Sequence, residues 1–180
     1  MSDLVHIVSD GASSQNDREN ATHLKKYYIK QRSIMDKILP GLYLGNDIVA
    51  QDIDLLKENN ITHILNLTTN IPNRFEHIVY KKIIMLDIAS QNIRQYFEES
   101  FEFIEESLKD PKNSVLVHCN AGISRSTSFV IAYLLQKGIF RKYNDALHFV
   151  RKRRPIVSPN YGFEKQLLRC YLLLTQNKNI

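Results

Sequence analysis

The 180-residue chain has no tryptophan and only two cysteines, Cys119 and Cys170. Two cysteines build no disulfide framework and supply no metal-ligand spacing, so both are expected as free thiols of a reducing compartment. No apolar run approaches the roughly 18–20 residues that cross a bilayer. The first residues, MSDLVHIVSDGASSQNDREN, lack a basic stretch followed by an apolar one, and so do not read as a secretory signal. They also lack the Met-Gly start of myristoylation. A cytoplasmic location is the expectation, with the nucleus as a second one. The net charge of +5 favours anions, but Lys and Arg are scattered. No basic face interleaved with aromatics points to nucleic acid. The one dense cluster, RKRR at 151–154, reads as a nuclear signal or, in preference, as a solvated helix end where cations suit the dipole.

What is present is ordinary globular composition, 43% hydrophobic and 24% charged, in a length suited to one domain. Residues 1–22 are polar and read as a flexible lead-in, leaving 23–177 as the domain. A weak helical pattern covers 23–37. ILPGLYLG (38–45) reads as a strand with a bend, and DIVAQDIDLLKENN (47–60) has helical spacing. ITHILNLT (61–68), VYKKIIML (79–86) and SVLVH (114–118) read as strands. Helices are predicted over 93–109, over 124–138 with Gly138 closing it, and over 143–154 and 160–176. His63 within its apolar strand reads as a core histidine, and His148 and Cys170 lie on helices without visible partners. Strands alternating with helices imply an α/β fold, a central largely parallel sheet flanked by helices on both faces. Ligands of such sheets gather at the carboxyl ends of the strands.

Cys119 falls at that place, in HCNAGISRSTSFVIAYLL, between a strand and a helix. Asn120, Ala121, Gly122, Ile123 and Ser124 separate it from Arg125. They are small enough for a tight loop whose N–H groups point inward. Ser124 is the expected N-cap, so the next helix aims its positive end at the same spot. Such a cradle binds a phosphate-like oxyanion, and Arg125 can add two parallel hydrogen bonds. The same field favours a thiolate on Cys119. A thiolate below a phosphate can attack phosphorus and form a cysteinyl-phosphate.

HCNAGISRS resembles the signature loop of the dual-specificity members of the cysteine-dependent protein phosphatases. The resemblance runs from about Met35 to Leu174, with LPGLYLG, ITHILNL, LD at 86–87 and RRPIVSPNYGF in family order. It implies a protein-tyrosine-phosphatase-like fold and hydrolysis of phosphotyrosine and phosphoserine or phosphothreonine. It makes Cys119 the nucleophile and Arg125 the phosphate clamp, with Ser126 easing thiolate departure. His118 would lie beneath the loop and tune the thiolate, and Asn160 would brace the loop from the side. Asp87, 32 positions before Cys119, would be the general acid. No metal and no cofactor are implied. The implied partners are phosphorylated proteins, a mitogen-activated protein kinase among the candidates, with neither nucleic acid nor membrane. Oligomeric state stays open.

Two other readings stand beside this one. NAGISRS and FVIAY also resemble the serine/threonine/tyrosine-interacting pseudophosphatases, which carry glycine at the nucleophile position and bind phosphoproteins without turnover. Cys119, Asp87 and Arg125 together oppose that reading. A substrate outside protein, a phosphoinositide or an RNA 5′-triphosphate, is the other. Lipid-directed relatives usually place lysines inside the loop, and RNA-directed ones show Asn-Arg-Thr where this chain has Ser-Arg-Ser.

Overall fold

The computed structural model describes residues 34–176. The expected lead-in at 1–22, and residues 23–33 of the expected first helix, lie outside them. Within the described residues five strands form one sheet in the order β1-β2-β5-β3-β4. β1 (Asp36–Leu39) and β2 (Leu42–Gly45) make an antiparallel hairpin about Pro40-Gly41. Its start corrects the sequence reading, because Asp36 and Lys37 belong to a strand and not to a helix ending at 37. β3 (Ile61–Asn66), β4 (Val79–Lys82) and β5 (Ser114–His118) are parallel to one another and to β2.

The period-2 rule sorts β5 cleanly. Val115 and Val117 face one apolar core, and Leu116 faces the other. The smaller core lies under a 3-10 turn (Val49–Gln51) and helix α1 (Ile53–Glu58), where Val49, Ala50 and Leu56 meet Ile64 and Leu116. The expected single helix over 47–60 is split between them. Asp52 intervenes, and its carboxylate accepts the Leu55 amide at 3.1 Å to cap α1.

The larger core lies under α2 (Phe97–Leu108), α3 (Arg125–Gln136), α4 (Tyr143–Arg153) and α5 (Tyr161–Gln176). Residues 125–135 of α3 are all buried, as expected of a helix surrounded by others. Phe129 anchors it, meeting Phe97 of α2 edge to face at 5.3 Å.

β4 stops four residues short of its predicted end. Its only partner among the described residues, β3, ends at Asn66, opposite Lys82, and the last backbone link runs from the Ile83 amide to Asn66. Residues 83–87 therefore leave the ladder and cross above the carboxyl ends of the strands. At those ends Gly45 of β2, His118 of β5 and Asn66 of β3 stand in register. Whatever follows His118 is placed at the centre of the sheet's rim.

Candidate active site

Cys119 is that next residue. It is 1% exposed, so it forms the floor of the loop that follows. The shape of 119–125 is set from outside. The Asn120 carbonyl accepts the Asp47 amide, Ile123 accepts the Ser158 amide, and Ser124 accepts the Ser128 amide. The carbonyls of Ala121 and Gly122 both accept from Arg154, at 3.4 and 2.8 Å. Five successive carbonyls thus point outward. In trans peptides, and there is no cis bond among the described residues, the N–H groups of the same planes then point inward. The Gly122 amide donates to Cys119 Sγ at 3.2 Å. Gly122 sits at φ +66°, and a Cβ there would come within 2.6 Å of the Gly45 carbonyl oxygen and of Arg154 Nη2. Only glycine fits this crossing.

Ser126 Oγ lies 3.2 Å from Cys119 Sγ, within the reach expected of it. Arg125 is anchored from behind, with Nη1 donating to the carbonyls of Leu67 (3.3 Å) and Met85 (3.1 Å). That leaves Nε and Nη2, the edge suited to two oxygens of one anion. Nε donates to Asp87 Oδ2 at 3.3 Å and Nη2 to Asn120 Oδ1 at 2.9 Å. Asp87, expected as the acid, therefore stands at the mouth of the cradle. Its Oδ1 accepts from Ser124 Oγ at 2.7 Å and from Asn160 Nδ2 at 2.8 Å.

Two expected roles change in detail. Ser124 occupies the N-cap position of α3, but its hydroxyl makes no capping bond. It is spent on Asp87 and on accepting the Asn160 amide at 3.0 Å. Asn160 accordingly holds the acid and the end of the loop together, while its Oδ1 accepts the Phe163 amide at the start of α5. His118 lies beneath the loop, 1% exposed. Burial drives its imidazole from 6.5 down to about 4. The ring is neutral at pH 7 and offers Cys119 no positive charge.

Sequence reading missed two residues. Arg154, assigned to a solvated basic run, is fully buried. Besides the two loop carbonyls, it donates through Nη1 to Asp36 Oδ2 at 2.7 Å and to the Ile34 carbonyl at 3.0 Å. Its place was visible in the spacing of Ala146, Val150 and Arg154, four residues apart, which carries the buried stripe of α4 on to the residue that caps its end. Burial raises the Asp36 pKa, and the Arg154 hydrogen bond and charge pull it back only in part. The Arg154→Met variant is expected to lose about 2–4 kcal/mol in urea unfolding, because it strands the largely covered Asp36 carboxylate and frees the loop. A loss under about 1 kcal/mol would show that the pair is not what braces the loop. The second missed residue is Asn70, whose Oδ1 accepts from Asn120 Nδ2 at 3.1 Å. Because arginine only donates, Asn120 must turn its oxygen to Arg125 and its amide nitrogen to Asn70. Nothing in sequence signals a side-chain link across 50 positions.

His63 is half-buried rather than core, its Nδ1 2.8 Å from Thr62 Oγ1 and its ring edge to face with Phe103. His148 is exposed, and the Cys170 side chain lies outside what is described. No group of three or more His, Cys, Asp and Glu that could hold a metal occurs among the described residues.

A thiol at the floor of a ring of inward amides, a guanidinium with two donors facing the centre and a carboxylate at the mouth can receive a tetrahedral anion. The family model "Dual specificity phosphatase, catalytic domain" matches residues 42–172. The chain belongs to the dual specificity phosphatase family. It is 41% identical to dual specificity protein phosphatase 7 of Homo sapiens over 172 residues, which are 91% of this chain and 41% of that one. It thus spans less than half the length of that relative. Among solved structures it is similar to DUSP15, with 38% identity and a TM-score of 0.74 over 79% of this chain and 90% of that one. The human tyrosine phosphatase-like serine/threonine/tyrosine-interacting protein gives 37% identity and a TM-score of 0.72, over 78% and 97%.

Proposed function

We propose that the protein hydrolyses phosphotyrosine and phosphoserine or phosphothreonine in protein substrates through a phosphate ester of Cys119. The observation that carries this is the convergence of Cys119 Sγ, the Gly122 amide, Ser126 Oγ, Arg125 and Asp87 on one loop at the strand ends.

In the first step the phosphoryl group enters the ring of amides and takes Nε and Nη2 of Arg125. Nε is released by Asp87, and Nη2 has a second N–H besides the one held by Asn120. The Cys119 thiolate attacks phosphorus in line, the bond to the leaving oxygen breaks, and Asp87 gives that oxygen its proton. In the second step water attacks phosphorus and passes a proton to the Asp87 carboxylate. The sulfur leaves with its electron pair, accepting a hydrogen bond from Ser126 Oγ. Inorganic phosphate is released and the thiolate is restored.

Family membership and the names of the relatives support phosphatase chemistry. The intact cysteine at 119 favours turnover over phosphoprotein binding alone. The test is hydrolysis of matched phosphotyrosine and phosphothreonine peptides by the purified chain. Both are expected to turn over, phosphotyrosine faster on small substrates because phenoxide leaves more readily than alkoxide. Phosphothreonine turnover no higher than that of a Cys119→Ser control would make the enzyme tyrosine-specific. Tight binding of both peptides without turnover would make it a binding module.

A further inference from the structure

The two sides of the cradle mouth differ in chemistry. One side carries the Asn70–Asn120 amide pair. The other carries Asp87, and the residues around it are apolar and unusually open. Leu86 is 52% exposed, Ile88 48%, Ile84 69% and Tyr161 66%. These four are half of the eight large hydrophobic side chains left exposed among the described residues. Scattered single exposures are normal, whereas several gathered at one place mark a contact surface.

Two contacts place three of them, Leu86, Ile88 and Tyr161, together. Leu86 and Ile88 flank Asp87, whose Oδ1 accepts from Asn160, the residue before Tyr161. The first turn of α5 also presses on the same crossing segment. A Cβ on Gly162 would fall 1.9 Å from the Ala89 carbonyl oxygen, so glycine is what lets the two backbones meet. Tyr161 and Ile88 are the chain neighbours of that meeting point. The Lys165 ammonium stands 4.3 Å from the centre of the Tyr161 ring, a cation–π contact between neighbouring turns of α5.

We propose that Leu86, Ile88 and Tyr161 form an apolar rim that selects phosphorylated sites flanked by aliphatic or aromatic side chains. The occupant is the substrate polypeptide itself, because the rim is continuous with Asp87, over which the phosphorylated residue must enter. This rests on the phosphoprotein reading above. A residue beside the phosphorylated one loses water against the rim, while the amide side offers no matching gain.

The experiment compares phosphotyrosine peptides in which a leucine or phenylalanine is moved through the two positions on either side of an otherwise Ser/Gly background. The full chain is assayed for kcat/KM, with p-nitrophenyl phosphate as a substrate that has no flanks. At one position or more the apolar residue is expected to raise kcat/KM about tenfold, the scale of a small apolar contact. The Ile88→Ser, Tyr161→Ser double variant is expected to remove that preference while keeping p-nitrophenyl phosphate turnover within about twofold. Binding of the same peptides to Cys119→Ser gives a readout that needs no catalysis, and the same preference is expected in Kd. Equal kcat/KM and equal Kd across the peptides would overturn the rim, even with turnover intact. Turnover lost with the Kd preference retained would overturn the catalytic reading and leave the rim standing. A wild-type dimer that the double variant dissolves would assign the patch to a second copy of the chain, and so overturn the proposal as well.

Discussion

The Cys119→Ser variant is expected to lose hydrolysis by more than about 10²-fold, and by as much as roughly 10⁶-fold if attack by sulfur is the whole of the chemistry. Phosphate binding should survive. The outward carbonyls that shape the loop are held by Asp47, Arg154, Ser158 and Ser128, none of which touches the sulfur. Arg125 keeps its rear anchors on Leu67 and Met85. The measurement is peptide hydrolysis alongside calorimetric binding of inorganic phosphate. Residual turnover above a hundredth of wild type would mean that another group attacks phosphorus. Loss of binding together with turnover would mean that the thiol supports the cradle as well.

Asp87→Asn should cost about 10²–10⁴ in kcat on a phosphothreonine peptide, whose alkoxide must be protonated to leave. On an activated aryl phosphate the loss should shrink, because that leaving group departs with little help. The amide oxygen can still accept from Ser124 Oγ and Asn160 Nδ2, so the crossing segment should stay in place. Split effects on the two substrates identify a proton donor. If both fall equally, Asp87 acts by tying Ser124, Arg125 and Asn160 together, and the acid must be sought elsewhere.

The loop from Cys119 to Arg125 was legible because its chemistry is local. A strand, a run of small residues, an arginine and a helix start lie within a dozen positions, and the structure keeps them in that order. The sheet was legible for a similar reason, since period 2 and β-branching mark β3 and β5. What escaped was decided by partners distant in sequence. The apolar pattern of VYKKIIML carries β4 to residue 86, yet a strand lasts only as long as its neighbour, and β3 stops at Asn66. Ser124 has the side chain of a helix cap, but a carboxylate 37 positions away competes for its hydroxyl and wins. Arg154 was hidden by company, because three further cations before it suggest solvent. Its spacing from Val150 was the contrary sign.

The Arg154 link to Asp36 spans 118 residues, and its other hands hold the loop between them. It imposes an order of assembly. A growing polypeptide emerges from its N-terminus, so Cys119 and Arg125 leave the ribosome before Arg154, Ser158 and Asn160 do. Until those last residues emerge, the Ala121, Gly122 and Ile123 carbonyls lack the donors that turn them outward in the fold, and the strand bearing Asp36 lacks its Arg154 partner. The nascent protein therefore carries its thiol without a finished anion site, and the site is completed when α4 and the start of α5 dock.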